Sequence, residues 1–188
     1  MKIFVVIADV ELTQKPDWLD DFRRNYDKPY AYHITLKQPC FIEEDKIEDI
    51  KNKLNNLFLD DKFPTHSIAL TFDQLNVSKD ALGGICVMID TSNGKEIADL
   101  QKKIVSTLLE FNHHYKPKYQ NYEENFNPHI TIGRDLTEDS YSEAAKQLEQ
   151  NYACRGVINK IVLAVVDNWG PKESEDPNNQ IIYNLPNH

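Results

Sequence analysis

The stretch Phe126-Asn127-Pro128-His129-Ile130-Thr131-Ile132 decides how this chain is interpreted, because its last four residues have a counterpart in His33-Ile34-Thr35-Leu36. Successive side chains of a β-strand point to opposite faces of the sheet. Each copy therefore presents His and Thr on one face and buries two aliphatic side chains on the other. The repetition predicts two equivalent strands that contribute polar pairs to one site.

Outward from the two motifs, the hydrophobic pattern predicts the same order of elements in both halves of the chain. The first half is expected to be βαβαβ, with strands at 2–10, 31–38 and 66–75 and helices at 16–27 and 43–58. The second half is expected to be βαβαββ, with strands at 82–90, 128–133, 158–167 and 180–185. Asn93 and Glu96 predict a capping box for one of its helices, and Thr137 predicts the cap of the other, which should end before Gly156.

The repeated order predicts a mixed α/β fold, between the α+β and α/β classes. Two similar βαβαβ lobes, roughly residues 1–78 and 79–188, would be related by a pseudo-twofold axis around a central groove. Since no Gly-, Ser- or Pro-rich linker separates them, we expect one bilobal domain over 1–188 with a shared core.

Composition limits the possible partners. The chain has 188 residues and a formal net charge of −9, from 21 Lys and Arg against 30 Asp and Glu. Such a balance argues against a broad basic surface that would coat a nucleic-acid backbone or an anionic membrane. We therefore expect a compact phosphate ligand and no binding to membranes. We also expect a monomer, a prediction that does not follow from the charge.

The N-terminus and the cysteines predict the compartment. The apolar run at 3–8 is too short for a signal peptide and is followed at once by Asp9. Cys40, Cys86 and Cys154 are odd in number and widely spaced, which favours reduced thiols over a disulfide framework. The sequence predicts a cytoplasmic protein.

Two His and two Thr side chains suit the cleavage of a phosphodiester. One imidazole can accept a proton from water or a hydroxyl, while the other donates a proton to the leaving oxygen. The Thr hydroxyls can donate hydrogen bonds to the non-bridging phosphate oxygens, where charge accumulates in the transition state. This chemistry needs neither a metal nor a cofactor, so we predict none, and name His33, Thr35, His129 and Thr131 as the catalytic residues.

The paired motifs resemble those of the 2H phosphoesterase superfamily, which includes the 2′-5′ RNA ligase-like proteins and the 2′,3′-cyclic nucleotide phosphodiesterases. The resemblance covers the whole chain in element order, but in sequence only the two tetrapeptides and their flanks, above all residues 126–132. It implies a 2H phosphoesterase-like fold and metal-independent action on 2′,3′-cyclic phosphates or 2′-5′ linkages. It also implies that His129 activates water and His33 protonates the leaving group, roles that can exchange with the direction of the reaction.

Residues near the motifs are candidates for binding the substrate. On a regular strand Lys37 shares the face of His33 and Thr35, whereas Arg134 reaches the groove only if the chain turns there. An aromatic side chain could carry a nucleobase, and we select Tyr32, Phe126 and Trp169.

The sequence is consistent with three hypotheses about the function. The first is a phosphoesterase that acts on RNA ends or small nucleotides, and the second is a hydrolase of cyclic or 2′-5′ oligonucleotide signals. The third belongs to another class, a catalytically silent module that binds nucleotides. Intact His and Thr in both motifs favour an enzyme, because a mere binder could lose an imidazole without losing its shape.

Overall fold

A computed structural model describes residues 1–28, 30–59, 66–79, 84–148 and 152–185. Within these ranges seven strands form one antiparallel sheet: β1 Lys2–Gln14, β2 His33–Ile42, β3 Ile68–Lys79, β4 Ile85–Thr91, β5 His129–Leu136, β6 Cys154–Val166 and β7 Gln180–Asn184. The α-helices are α1 Leu19–Tyr26, α2 Ile47–Leu59, α3 Lys95–Thr107, α4 Lys118–Glu124, α5 Glu138–Gln147 and α6 Pro171–Ser174. Short 3₁₀ turns lie at Glu44–Lys46, Leu109–Phe111 and Pro177–Asn179. The predicted mixed α/β class is confirmed.

Helix α4 lies in a segment for which the sequence predicts no helix. Its pattern lacks an apolar stripe, and its one buried residue is the charged Glu123. The helix therefore packs through a carboxylate, and hydrophobic periodicity cannot detect such a contact.

The sheet has the strand order β2-β1-β6-β3-β4-β5. Strand β6 pairs with β1 along one edge, and its other edge is divided between β3 at residues 154–158 and β7 at residues 160–164. The motif strands β2 and β5 stand at opposite ends of this order, yet they contact each other. The sheet therefore curls until its two ends meet.

The strands of the two sequence halves are interleaved. β3, from the first half, pairs with β4 and β6, whereas β1 pairs with β6 from the second half. The expected boundary at residues 78 and 79 falls at the end of β3, which is hydrogen-bonded to β4 beyond it. The division into two lobes stays a prediction, and residues 80–83 lie outside the described part.

The core is a hydrophobic cluster of aliphatic and aromatic side chains between the sheet and its helices. The helices supply buried side chains at helical spacing, among them Ile50 and Leu54 from α2 and Ile97, Leu100 and Ile104 from α3. None of the helices in the described ranges is both long and apolar enough to cross a lipid bilayer.

One of the two predicted helix caps is correct. The side chain of Thr137 accepts a hydrogen bond from Ser140 N at 3.2 Å and begins α5. The box of Asn93 and Glu96 is wrong, because α3 is preceded by Gly94 with no side-chain cap. Asn93 Oδ1 instead accepts from the backbone N of Thr71 at 2.8 Å, which ties the start of α3 to β3.

Gly156 lies in the middle of the sheet rather than at the end of a helix. Helix α5 ends at Gln147, and Gly156 pairs with Leu12 of β1 and Leu70 of β3. A Cβ atom at this position would lie 2.8 Å from Val10 Cγ1 and 3.3 Å from the carbonyl oxygen of Glu11. Glycine is therefore required here by the close approach of β1.

We expect Gly156→Ala to lower the free energy of unfolding by about 1–3 kcal/mol, because the added methyl group overpacks a buried site. Gly170→Ala is the matched control, since a Cβ there meets nothing within 4 Å, and it should stay within about 0.5 kcal/mol of the wild type. Urea denaturation measures both changes. Equal stability of the two variants would contradict the packing argument.

Candidate active site

The two motifs lie at the start of β2 and of β5. His33, Thr35, His129 and Thr131 are all partly exposed, whereas Ile34, Leu36, Ile130 and Ile132 are at most 1% exposed. The predicted alternation is therefore confirmed in both strands. Because β2 and β5 contact each other, the two polar pairs come from neighbouring strands of the curled sheet.

The two imidazoles are held in the same way. His33 Nδ1 lies 2.8 Å from the carbonyl oxygen of Ala31, and His129 Nδ1 lies 2.7 Å from that of Asn127. A carbonyl oxygen can only accept, so Nδ1 carries a hydrogen in both rings and the neutral ring keeps its lone pair on Nε2. Within the described residues, neither Nε2 nor the hydroxyl of Thr35 or Thr131 has a hydrogen-bond partner. These four polar groups are available to a ligand.

Both motif strands contain the same irregularity directly after the threonine. Along β1, the partner of Ile7 is Thr35 and that of Val6 is Lys37, so Leu36 is skipped. Along β4, Met88 pairs with Thr131 and Val87 with Gly133, so Ile132 is skipped. Such a β-bulge changes the direction of the side chains that follow it.

The bulge in β2 explains why the prediction for Lys37 is wrong. Its side chain is fully buried, and its Nζ lies 2.7 and 2.9 Å from the two carboxylate oxygens of Glu123 on α4. Asn112 Oδ1 accepts a further hydrogen bond from Nζ at 2.6 Å. The ammonium is therefore bound inside the protein rather than open to a ligand, and the strand is not regular between Thr35 and Lys37.

The surroundings of Lys37 include a group of possible metal ligands. One ligand atom each from Cys40, His114 and Glu123 lie within 4.8 Å of one another. The Lys37 ammonium already binds both oxygens of Glu123, so a cation occupies this position as part of the protein. The donor set does not suit a metal ion while Lys37 is there.

Arg134 lies near enough to both histidines for its charge to act on them. Its positive charge is among the influences that lower the pKa of His33 and of His129. Its Nε lies 3.3 Å from Oδ1 of Asp27, and its guanidinium lies 5.0 Å from the centre of the Tyr30 ring. The sequence predicts that Arg134 reaches the groove only if the chain turns there. The β-bulge in β5 and Asp135, whose φ of 55° lies in the left-handed region, supply this turn.

The aromatic residues are distributed differently from the prediction. Trp169 stacks on Tyr30 with a centroid distance of 6.4 Å, and Tyr30 meets the edge of His33 at 5.7 Å. Tyr32 lies instead against Arg23, with its hydroxyl donating to Asp20 at 3.0 Å, and Phe126 packs against the core. Tyr30 is not among the three aromatic residues predicted from the sequence, because no local pattern distinguishes it from Tyr32 in the same loop before β2.

A depression of about 600 Å³ adjoins Trp169. It is lined by Asn168, Trp169, Gly170, Pro171, Lys172, Glu173, Glu175 and Asp176. None of the four motif residues lines it. Glu175 connects it to the site, because its carboxylate accepts a hydrogen bond from the backbone N of Ala31 at 3.3 Å.

Burial makes both imidazoles less basic than free histidine. It lowers the pKa of His33 to about 4, and the charges of Arg134 and Arg23 act in the same direction, against the Ala31 carbonyl and Asp27. Burial also lowers the pKa of His129, against the Asn127 carbonyl and the carboxylate of Asp90. The two rings thus share a geometry but have different charged neighbours.

Comparison with known proteins gives consistent matches. A profile of the 2′-5′ RNA ligase superfamily matches residues 12–168. A relative from Bacillus licheniformis that carries a phosphoesterase name is 27% identical over 156 residues, which cover 81% of this chain and 82% of that one. A similarly named protein of Geobacillus kaustophilus is 28% identical over 152 residues, or 79% of this chain and 78% of its own length.

Two solved structures are similar in fold. LigT of E. coli, crystallised with 3′-AMP, has a TM-score of 0.56, covering 98% of this chain and 95% of LigT at 12% identity. Usb1 of Kluyveromyces marxianus has a TM-score of 0.54, covering 97% and 98% of the two chains at 11% identity. These matches confirm the predicted fold type.

We expect Lys37→Met to lower the free energy of unfolding by about 3–5 kcal/mol, because it leaves the buried charge of Glu123 without its partner. Lys146→Met removes an exposed ion pair with Glu143 and should change it by less than about 1 kcal/mol. Urea denaturation compares the two variants, and adding Glu123→Gln to Lys37→Met should recover part of the loss. A small effect of Lys37→Met alone would contradict the assignment of a buried pair.

The depressed pKa of His33 predicts a loss of stability in acid. The folded protein keeps this ring neutral down to about pH 4, whereas the unfolded chain protonates it near 6.5, so stability present above pH 6.5 is lost as the pH falls towards 4. Between pH 7 and pH 4.5 this loss is about 2 kcal/mol, at 1.36 kcal/mol per pKa unit. His33→Asn should therefore show a shallower fall in unfolding free energy over this range, and an unchanged slope would contradict the burial of a neutral ring.

Proposed function

The chain belongs to the 2′-5′ RNA ligase superfamily, and from this membership we propose that it is a phosphoesterase that cleaves 2′,3′-cyclic phosphates or 2′-5′ phosphodiester linkages. The substrates would be RNA ends or small nucleotides, and the reaction would not use a metal. The observation that carries the proposal is the duplicated geometry of His33 with Thr35 and His129 with Thr131. In each pair the imidazole Nε2 and the threonine hydroxyl have no hydrogen-bond partner in the described part of the chain, and the two strands are in contact.

In the proposed reaction, in-line displacement at phosphorus uses the two imidazoles and the two threonine hydroxyls. One Nε2 accepts a proton from water as the water oxygen bonds to phosphorus. The bond to the leaving ribose oxygen breaks, and the other imidazole donates its proton to that oxygen. The hydroxyls of Thr35 and Thr131 would donate to the non-bridging oxygens, where negative charge increases.

Arg134 takes the place that we had expected Lys37 to fill. Its charge acts on both imidazoles, and its Nε lies 3.3 Å from Oδ1 of Asp27, whose side chain is fully buried. A guanidinium that is already oriented can bind a phosphate with little loss of conformational freedom. We assign Arg134 to the binding of the substrate phosphate.

A small nucleotide fits the charge and the aromatic residues. The net charge of −9 disfavours a long phosphate backbone, while one phosphate needs only the local groups around Arg134. Trp169, stacked on Tyr30 and bordering the depression at 168–176, is our candidate platform for a nucleobase. The similar structures of LigT with 3′-AMP and Usb1 with uridine monophosphate support a ligand of this size.

Two alternatives are separated by the same experiment. Hydrolysis of cyclic or 2′-5′ oligonucleotide signals uses the same four motif residues and differs in the substrate. A silent binding module would use the hydroxyls and Arg134 without turnover. A cytoplasmic site of action is part of the proposal, and the three free thiols of Cys40, Cys86 and Cys154 accord with a reducing compartment.

The test is turnover in the presence of EDTA. We expect hydrolysis of at least one substrate among 2′,3′-cyclic nucleotides, 2′-5′ oligoadenylates and cyclic di- and trinucleotides, followed by chromatography. His33→Ala and His129→Ala should each lower kcat/KM by about 10²- to 10⁴-fold, because each removes a proton-transfer group. His66→Ala is the control, since that imidazole pairs with Glu96 and belongs to neither motif.

Three results would contradict the proposal. Binding of every substrate with turnover of none would favour the silent module. Full activity in either motif variant would contradict the two-histidine mechanism, and so would a requirement for an added divalent metal.

A further inference from the structure

Asp90 is a buried carboxylate that the mechanism above leaves without a role. It lies on β4 directly opposite His129, and residues opposite each other in an antiparallel pair have Cβ atoms about 4.5–5.5 Å apart on the same face. Its exposure is 8%, although carboxylates are rarely buried without a reason. Its Oδ1 is buried and has no hydrogen-bond partner among the described residues.

The other oxygen of Asp90 holds the residue that orients His129. Asp90 Oδ2 accepts hydrogen bonds from Asn127 Nδ2 at 2.6 Å and from Asn76 Nδ2 at 2.8 Å. The backbone carbonyl of the same Asn127 accepts the hydrogen on His129 Nδ1. Asp90 therefore contacts the imidazole through one intermediate residue and also lies close enough for its charge to favour the imidazolium form.

The matching position in the other motif has a different environment. Asp9 is opposite His33 on β1, but it is paired with Lys160 at 2.8 Å and its side chain is 26% exposed. The charged groups that act on His33 are Arg134, Arg23 and Asp27, whereas those that act on His129 are Asp90 and Arg134. Among the described residues, the charges that shift the pKa of His33 are thus two cations and one carboxylate, and those that shift the pKa of His129 are one of each.

We propose that Asp90 is a positioning residue that orients His129 through Asn127 and favours its protonated form, so that His129 is the general acid and His33 the general base. This inference rests on the proposed function and reverses the roles that the family resemblance implies. His33 Nε2 takes the proton of the attacking water, and His129 Nε2 gives its proton to the leaving oxygen as the phosphorus–oxygen bond breaks. The His129 imidazolium donates from Nε2, while Nδ1 keeps its hydrogen and donates it to the Asn127 carbonyl oxygen.

The first test measures protonation without turnover. NMR titration of the histidine rings should show that His129 in the wild type titrates at a higher pH than His33. Asp90→Asn should lower the midpoint of His129 by about one unit, a tenfold loss of proton affinity, and leave His33 unchanged. Asp90→Glu should restore the midpoint, and Asp9→Asn, the matched control, should move neither ring.

The second test uses the pH dependence of kcat/KM. Because the general acid must be protonated, Asp90→Asn should move the basic limb of the profile to lower pH by the shift seen in the titration, with the acidic limb unchanged. A lower rate with both limbs in place would mean a merely structural role and would overturn the proposal. A shift of the acidic limb would overturn the assignment of acid and base.

The two proposals fail in different ways. If no substrate is turned over by the wild type, the proposed function fails, whereas the titration still decides whether Asp90 acts on His129. If Asp90→Asn does not fold, the order of the two wild-type midpoints remains decisive, and a higher midpoint for His33 overturns the inference. An equal effect of Asp9→Asn on its neighbouring ring would overturn it as well, because the proposed asymmetry would be absent.

Discussion

The hydrogen-bonding requirement of β6 determines the arrangement of the whole molecule. A buried strand must satisfy its backbone groups on both edges, and β6 does so with β1 on one side and with β3 and β7 in succession on the other. β6 thereby joins the strands on its two sides into one sheet. In the strand order β2 lies two places from β6 and β5 lies three places from it. The two motif strands therefore form the ends of the curled sheet, where they contact each other.

The sequence predicts the parts of the site that follow from strand alternation. A regular strand is enough to predict that His33 and Thr35 share one face and that the alternate residues, Ile34 and Leu36, are buried. Lys37 is the first residue for which this reasoning fails, because the bulge at Leu36 depends on the partner strand. The same irregularity in β5 precedes Arg134 and makes the direction of its side chain equally unpredictable. Tyr30 and Asp90 belong to a loop and a strand whose neighbours no periodicity identifies.

In the fold, too, local features are predictable from the sequence and long-range contacts are not. Helices with an aliphatic stripe, such as α2 and α3, are predictable because their packing is hydrophobic and periodic. Helix α4 packs through the carboxylate of Glu123 on Lys37, and Gly156 is required by the approach of β1. Each of these contacts joins residues that are far apart in sequence, so local pattern carries no information about them. The two motifs share their backbone geometry but not their charged surroundings, because the charged residues that act on each imidazole come from unrelated segments.

The pairing of β1 with β6 has a consequence for how the protein is made. Ile3 is hydrogen-bonded in register with Val166, so the centre of the sheet joins residues 163 positions apart, and a contact of that separation closes late in folding. During synthesis, β1 and β2 can form a hairpin early, but one edge of β1 waits unpaired until nearly the whole chain has left the ribosome. An apolar strand exposed in this way is a site for aggregation, and we expect the nascent protein to depend on chaperones more than its modest size suggests.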